Sequence, residues 1–178
     1  MMTGIKFEKV STAQFKKDLV ESFYHYNGKE KVKLKPVAFT DGADKLPKRA
    51  TKCSAGYDFY YPINNSIILK PGETVLIPTG IRCRMPENVV LFLMPRSGQG
   101  FKCRLQLNNT VGVIDSDYYN ADNEGHIMVK LTNDSNEGKE LEFKYGDAIC
   151  QGIFINYLTT EDDCVEEVRK GGFGSTGR

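Results

Sequence analysis

At 178 residues the chain has the length of one domain with its own apolar core, and is short for two. Apolar residues make up 40% of it, with 10 Phe and 9 Tyr, which excludes a disordered chain. The balance of 24 Lys and Arg against 23 Asp and Glu excludes the broad positive field of a duplex-binding protein, so phosphate chemistry would be confined to a local pocket.

The cysteines Cys53, Cys83, Cys103, Cys150 and Cys164 are odd in number and form no C-x-x-C pair, a pattern of reduced thiols. Only His25 and His126 could join them at zinc, and neither lies at a ligand spacing from a cysteine. No apolar run has signal-peptide length or the ~20 residues that span a bilayer. A cytoplasmic protein is expected, with neither nucleic acid nor membrane as a partner.

Ser11 and Gln14 form an S-x-x-Q capping box, with Val10 and Phe15 placed as a hydrophobic staple. Phe15, Leu19, Val20 and Phe23 then share one face, which predicts a helix over 11–23 that ends across Tyr24–Lys29 with Gly28 as its stop. Residues 1–30 read as a helical extension whose simplest role is packing on the rest of the chain.

From Val32 the texture changes to short β-type runs. Val32–Phe39 contains Pro36 and suits an edge. Ile67–Leu69 and Thr74–Ile77 flank Lys70-Pro71-Gly72-Glu73, whose Pro-Gly centre predicts a type II turn. Ile81–Met85, Val89–Met94, Val111–Ile114, His126–Leu131, Glu140–Tyr145 and Ile149–Ile155 are further runs of this type. Short strands about 8–12 residues apart, without alternating helices, predict an all-β sandwich, jelly roll or barrel over 31–168. Residues 169–178 are too glycine-rich to hold regular structure alone, yet they carry the large apolar Phe173. That combination suits a lid that docks on something flat.

Several segments are richer in special residues than scaffold strands require. Ala55-Gly56-Tyr57-Asp58 is one. In Pro95-Arg96-Ser97-Gly98 a guanidinium stands beside backbone amides freed by Ser-Gly, a reasonable phosphate cradle and equally ordinary turn chemistry. Asn108-Asn109 suits a tight hairpin, because Asn tolerates positive φ. The apolar run through Val113 leads directly into Asp115, Asp117 and Tyr118. If that stretch is extended, the two carboxylates share a face and Tyr118 takes the other. Gln151 is a polar residue within an apolar strand, and needs a partner that a ligand could supply.

Ala-Gly-Tyr-Asp, Pro-Arg-Ser-Gly, Gly-Val-Ile-Asp-Ser-Asp-Tyr, Gly-Asp-x-Ile-x-Gln and Gly-Gly-Phe-Gly-Ser-Thr-Gly occur in this order between Lys35 and Arg178. Together they closely resemble the motifs of the trimeric dUTPase family. The resemblance implies a distorted jelly-roll, β-clip type domain and a homotrimer whose active sites are shared between subunits. It also implies Mg²⁺-assisted hydrolysis of dUTP to dUMP and pyrophosphate, which limits uracil in DNA and supplies dUMP for dTMP synthesis. Asp115 would activate the attacking water, and Asp58 would reach the metal through water. Arg96, Ser97, Gly98, Gln151, Arg169, Ser175 and Thr176 would bind phosphates. Asn109 and Val113 lie on the uracil-reading hairpin, Tyr118 would pack under the deoxyribose, and Phe173, followed by Gly174, would stack over uracil.

The chain departs from the family pattern in three places. Ala148 stands where an Arg usually follows Gly-Asp, and the tail is one residue shorter between Arg169 and Phe173. Lys170 is positioned to replace either lost cation. Tyr119-Asn120-Ala121-Asp122 reads as a small insertion. The rival within this fold is dCTP deaminase, whose third motif continues Ile-Asp-Pro-Gly-Phe where this chain has Ile-Asp-Ser-Asp-Tyr. A regulatory protein of the same fold is another alternative, with the N-terminal helix and the 119–122 insertion as candidate surfaces for a protein partner.

Overall fold

A computed structural model of the chain describes residues 4–27, 30–34, 45–167, 169 and 171. Alternation of buried and exposed side chains along the strands builds two five-stranded sheets. The first runs β10 (Leu105–Leu107), β12 (Met128–Asn133), β7 (Thr74–Pro78), β2 (Tyr24–Asn27), β3 (Glu30–Lys33). The second runs β11 (Gly112–Ile114), β9 (Val89–Met94), β14 (Ala148–Asn156), β5 (Tyr57–Tyr60), β4 (Lys48–Arg49). Two further pairs, β1 (Lys6–Lys9) with β8 (Ile81–Arg84) and β6 (Ile67–Leu69) with β13 (Leu141–Phe143), complete an antiparallel, jelly-roll-like β fold. Val75, Ile77, Leu105 and Leu131 of one sheet and Phe59, Leu91, Leu93 and Ile149 of the other join a single buried core.

Apart from Val32–Phe39, the expected strands are present with small shifts of their ends, and the 70–73 turn forms as its sequence predicts. Gly72 has φ +82° and the Glu73 N–H donates to the Lys70 carbonyl at 3.0 Å, which is the type II requirement of a positive φ at the third position.

The N-terminal helix α1 spans Thr12–Ser22, and Ser11 Oγ accepts the Gln14 N–H at 3.1 Å as its cap. The reciprocal half of the capping box is absent. Gln14 Nε2 donates to Asp18 at 2.8 Å, and the Ser11 N–H is taken at 2.7 Å by Glu124, a residue 113 positions away. Phe15, Leu19 and Phe23 are buried as the helical face predicts, whereas Val20 is 48% exposed. Full burial of Phe15 and Leu19 contributes about 1.5–3 kcal/mol each.

The stretch Tyr24–Asn27, expected to be the end of the helix, is strand β2, paired with β7 on one side and β3 on the other. The 30/31 boundary therefore runs through a β-hairpin, and β1 and β2 tie the N-terminal segment into the β domain. Pairing with preformed neighbours overrides the weak local signal there. Gly28 and most of the Val32–Phe39 run lie outside the described residues.

A second short helix, α2 (Ser97–Cys103), is not expected from Ser-Gly-Gln-Gly, which reads locally as a turn. It ends at Arg104 in the left-handed conformation (φ 52°), whose N–H donates to the Gln99 and Gly100 carbonyls.

Candidate active site

Strand pairing assembles the phosphate-type segments. Gln151 of β14 lies opposite both Asp58 of β5 and Met94 of β9, so three segments that are distant in sequence meet across neighbouring strands. Arg96 Nε binds Asp58 Oδ1 at 2.9 Å, with the Asp58 side chain 14% exposed. Gln151 Nε2 donates to the Pro95 carbonyl at 3.1 Å, which answers the need for a partner within the protein and holds the backbone beside Arg96. A Cβ on Gly56 would come within 2.3 Å of Gln151 Oε1, so glycine is what lets that amide lie there. Ser97 and Gly98 are exposed, and a Cβ on Gly98 would meet nothing within 4 Å, leaving its backbone open to an incoming anion.

The same cluster contains residues that motif reading missed. Gln99 Nε2 donates to the Ala148 carbonyl at 2.9 Å. Lys45 Nζ lies 5.5 Å from the centre of the Tyr60 ring, and a Cβ on Gly146 would lie 2.7 Å from it. Tyr60 pairs with Ala148, so Lys45 brings an ammonium beside the position where the expected cation is absent. Its only sequence signal is a positive charge shortly before the first motif. Lys170 lies outside the described residues.

The second cluster surrounds Asp115. Here Asp115 ends β11 in an extended conformation and a 3-10 turn, Ser116–Asn120, comes next, so 115–118 does not continue as a strand. Both carboxylates nevertheless serve one group. Arg169 binds Asp115 Oδ2 at 2.6 Å through a terminal nitrogen and Asp117 Oδ1 at 2.8 Å through Nε. Asp115 is half-exposed, while the Arg169 side chain is only 12% exposed. Beneath the guanidinium, 5.8 Å from its carbon, lies the Tyr118 ring. Tyr118 is buried and its hydroxyl donates to the His126 carbonyl at 2.8 Å. Burial pushes that phenol up to about 12, which keeps it a donor at neutral pH. Val113 is 53% exposed on the edge strand.

The Asn108-Asn109 segment is a turn but not a hairpin, because β10 and β11 belong to different sheets. The positive φ falls on Thr110 (63°) rather than on either asparagine. A β-branched residue in that region is strained, and the turn is held by Thr110 N–H to the Leu107 carbonyl at 2.9 Å and Val111 N–H to the Asn109 carbonyl at 2.6 Å. Within the 119–122 insertion Tyr119 and Ala121 pack inward, while Asn120 and Asp122 are exposed. Tyr119 donates to Glu8 at 2.7 Å beneath the Arg82 guanidinium, and Ala121 is buried. Phe173, Gly174, Ser175 and Thr176 lie outside the described residues.

The two clusters do not meet within one chain. Ile114 pairs with Leu91, while Arg96 lies beyond the opposite end of β9. At ~3.3 Å per residue, Asp115 and Arg96 are roughly 20 Å apart along the strand.

A sequence profile of the dUTPase family matches residues 43–177. The deoxyuridine 5'-triphosphate nucleotidohydrolase of Lactococcus lactis subsp. lactis is 43% identical over 135 residues, which are 74% of this chain and 87% of that protein. The dUTPase of Streptococcus mutans has a similar structure, with a TM-score of 0.59 and 38% identity over 68% of this chain and 94% of that one. A mutant dUTPase from phage phi11 of S. aureus, described with a structural Mg(II) ion, shares the fold at a TM-score of 0.57 and 24% identity, over 72% of this chain and 93% of that one. The motif residues and this similarity over most of the chain place the protein in the dUTPase family.

Proposed function

We propose that the chain hydrolyses dUTP to dUMP and pyrophosphate in a site shared between subunits of a homotrimer. The observation that carries this reading is the division of the chemistry between two half-sites. A phosphate-binding cluster surrounds Arg96, and a half-exposed carboxylate, Asp115, lies at the far end of the same strand. A separation of roughly 20 Å is too long for both to reach one phosphoryl group, which supports a second copy supplying the other half.

Asp115 accepts a proton from water as the water oxygen attacks the α-phosphorus. The bond from that phosphorus to the bridging oxygen breaks, and pyrophosphate leaves with the electron pair. Arg96, the open amides at Ser97 and Gly98, and Lys45 beside Ala148 bind the phosphate oxygens. Arg169 passes from the two aspartates to the phosphates as nucleotide enters. The tail, with Phe173 over the base and Ser175 near the phosphates, closes the site against water.

Mg²⁺ is the metal this site fits. Among the described residues no group of three or more His, Cys, Asp or Glu side chains is placed to hold an ion. Mg²⁺ takes one or two carboxylates together with phosphate oxygens and waters, and Asp58, with one oxygen on Arg96, would hold it through water. Its chemistry is to offset the charge that develops on the phosphate oxygens. The five cysteines are free, and no described helix is long and apolar enough to cross a membrane. The free thiols fit a reducing compartment and support a cytoplasmic location.

Pyrophosphate release measured with dUTP, dTTP, dCTP and UTP tests the reading. Release from dUTP alone is expected, and ammonia production from dCTP would replace this assignment with deamination.

A further inference from the structure

Helix α1 lies outside the matched segment 43–177, yet it is fastened to the loop that carries Tyr118. Glu124 accepts both the N–H and the hydroxyl of Ser11, each at 2.7 Å. The Phe15 ring lies 6.0 Å from that of His126. Asp18, only 5% exposed, receives Gln14 Nε2 at 2.8 Å and His126 Nδ1 at 2.5 Å on the same oxygen, Oδ2.

His126 is fully buried and its Nε2 accepts the Gly80 N–H at 2.7 Å. The ring proton is therefore on Nδ1, directed at Asp18. The His126 carbonyl in turn accepts the Tyr118 hydroxyl, and Asn123 Nδ2 donates to both that carbonyl and the Tyr118 oxygen. A chain of hydrogen bonds thus runs from α1 to Tyr118.

Beside this chain lies a cavity of about 420 Å³, within the size range of small-molecule sites. It is lined by Asn109 and Gly112 of the turn, by Asn123, and by Asp18 and Ser22 of α1. Both bonds to Asp18 fall on Oδ2, so Oδ1 carries neither of them, and Asp18 lines the cavity. A carboxylate oxygen in a mostly apolar cavity selects a ligand that brings a donor to it.

We propose that α1 forms a wall of the nucleoside pocket and that Asp18 determines specificity in it. Asp18 holds His126, and through it Tyr118, while its Oδ1 accepts a hydrogen bond from the deoxyuridine half of the substrate. The inference rests on the chain being a dUTP hydrolase. Two donors on that half fit, the uracil N3–H and the 3'-hydroxyl.

Two variants of the full chain test it, Asp18→Asn and Ser22→Phe, with dUMP, dCMP and 2',3'-dideoxyuridine monophosphate as calorimetric probes. In Asp18→Asn the amide oxygen can keep the bonds from His126 and Gln14, while the NH₂ turns a donor toward the cavity. Its dUMP Kd is expected to rise ~10-fold or more. Its preference for dUMP should collapse against dCMP if the donor is N3–H, or against the dideoxy compound if it is the 3'-hydroxyl. Ser22→Phe projects a large ring into the cavity, and should weaken dUMP binding and raise the KM for dUTP, each by at least ~10-fold. Unchanged preferences in Asp18→Asn, or wild-type dUMP affinity in Ser22→Phe, would overturn the proposal. Absence of dUTP turnover by the wild-type chain would instead overturn the functional reading beneath it.

Discussion

The terminal guanidinium nitrogen of Arg169 lies 2.6 Å from Asp115 Oδ2, while Nε of the same residue holds Asp117 at 2.8 Å. A carboxylate engaged in this way has an oxygen committed to a cation. Arg169 also has a better destination when a triphosphate is bound, since phosphate oxygens match its planar fork and carry more charge. On the proposed mechanism the pair is a resting arrangement that substrate undoes.

Asp115→Asn should retain dUTP binding within a few fold and lose turnover by ~10²–10⁴-fold, the range for a general base. Calorimetric binding and pyrophosphate release on the same preparation separate the two effects. Near-normal turnover would remove Asp115 from its assigned role.

Deleting residues 171–178 should leave the fold and assembly intact, because the core formed by the described residues is built from Phe7 to Cys150. Turnover should fall steeply, since water exclusion over the base and phosphates is lost. Sedimentation combined with steady-state kinetics checks this, and an unimpaired truncated enzyme would contradict the lid.

Lys45→Met keeps an apolar stem against Tyr60 while removing the ammonium beside Gly146. One charge-assisted contact to phosphate is worth about 1.5–3 kcal/mol, so kcat/KM for dUTP should drop ~10–100-fold with little change in melting temperature. Unchanged kcat/KM would mean that the cation missing at Ala148 is replaced from elsewhere.

Gly56→Ala places a methyl group where Gln151 Oε1 now lies, 2.3 Å from the ideal Cβ. The amide must turn away and release the Pro95 carbonyl, loosening the backbone that positions Arg96. A loss in kcat/KM of roughly 10-fold is expected with little change in stability, because the displaced atom is the end of a flexible side chain. Urea unfolding and kinetics measured together would expose a change confined to stability.

Ser11 donates to Glu124 from both its backbone and its hydroxyl, and these bonds hold the Glu124 carboxyl below the ordinary carboxylate range. A group with a lowered folded pKa adds stability that is present above its unfolded value, near 4.5, and is lost as pH falls through the folded value. Glu124→Gln should therefore be less stable than wild type by about 1 kcal/mol at pH 7, a typical helix-cap contribution. The two urea midpoints should converge as pH falls from 4.5 through the folded value, and parallel curves through that range would refute the linkage.

The motif residues were legible in the linear chain because each carries a chemical demand that is local to its segment. Pro71-Gly72 dictates its turn, alternation dictates β9 and β14, and the order of the motifs identifies the family. Other features depend on which strands become neighbours. Asp58, Arg96 and Gln151 meet because β5, β14 and β9 pair in that order, and nothing in their separate segments encodes that register. Glu124 completes the α1 cap across 113 positions, in place of the Gln14 that the local pattern put forward. Tyr24–Asn27 became a strand because β7 and β3 offered it backbone partners. Sequence alone determined the chemistry and the fold class, since residue type and period act over a few positions. The tertiary structure decided which carboxylate faces which cation, and that the Arg96 and Asp115 clusters lie at opposite ends of β9. Those relations are set by strand pairing between segments far apart in the chain.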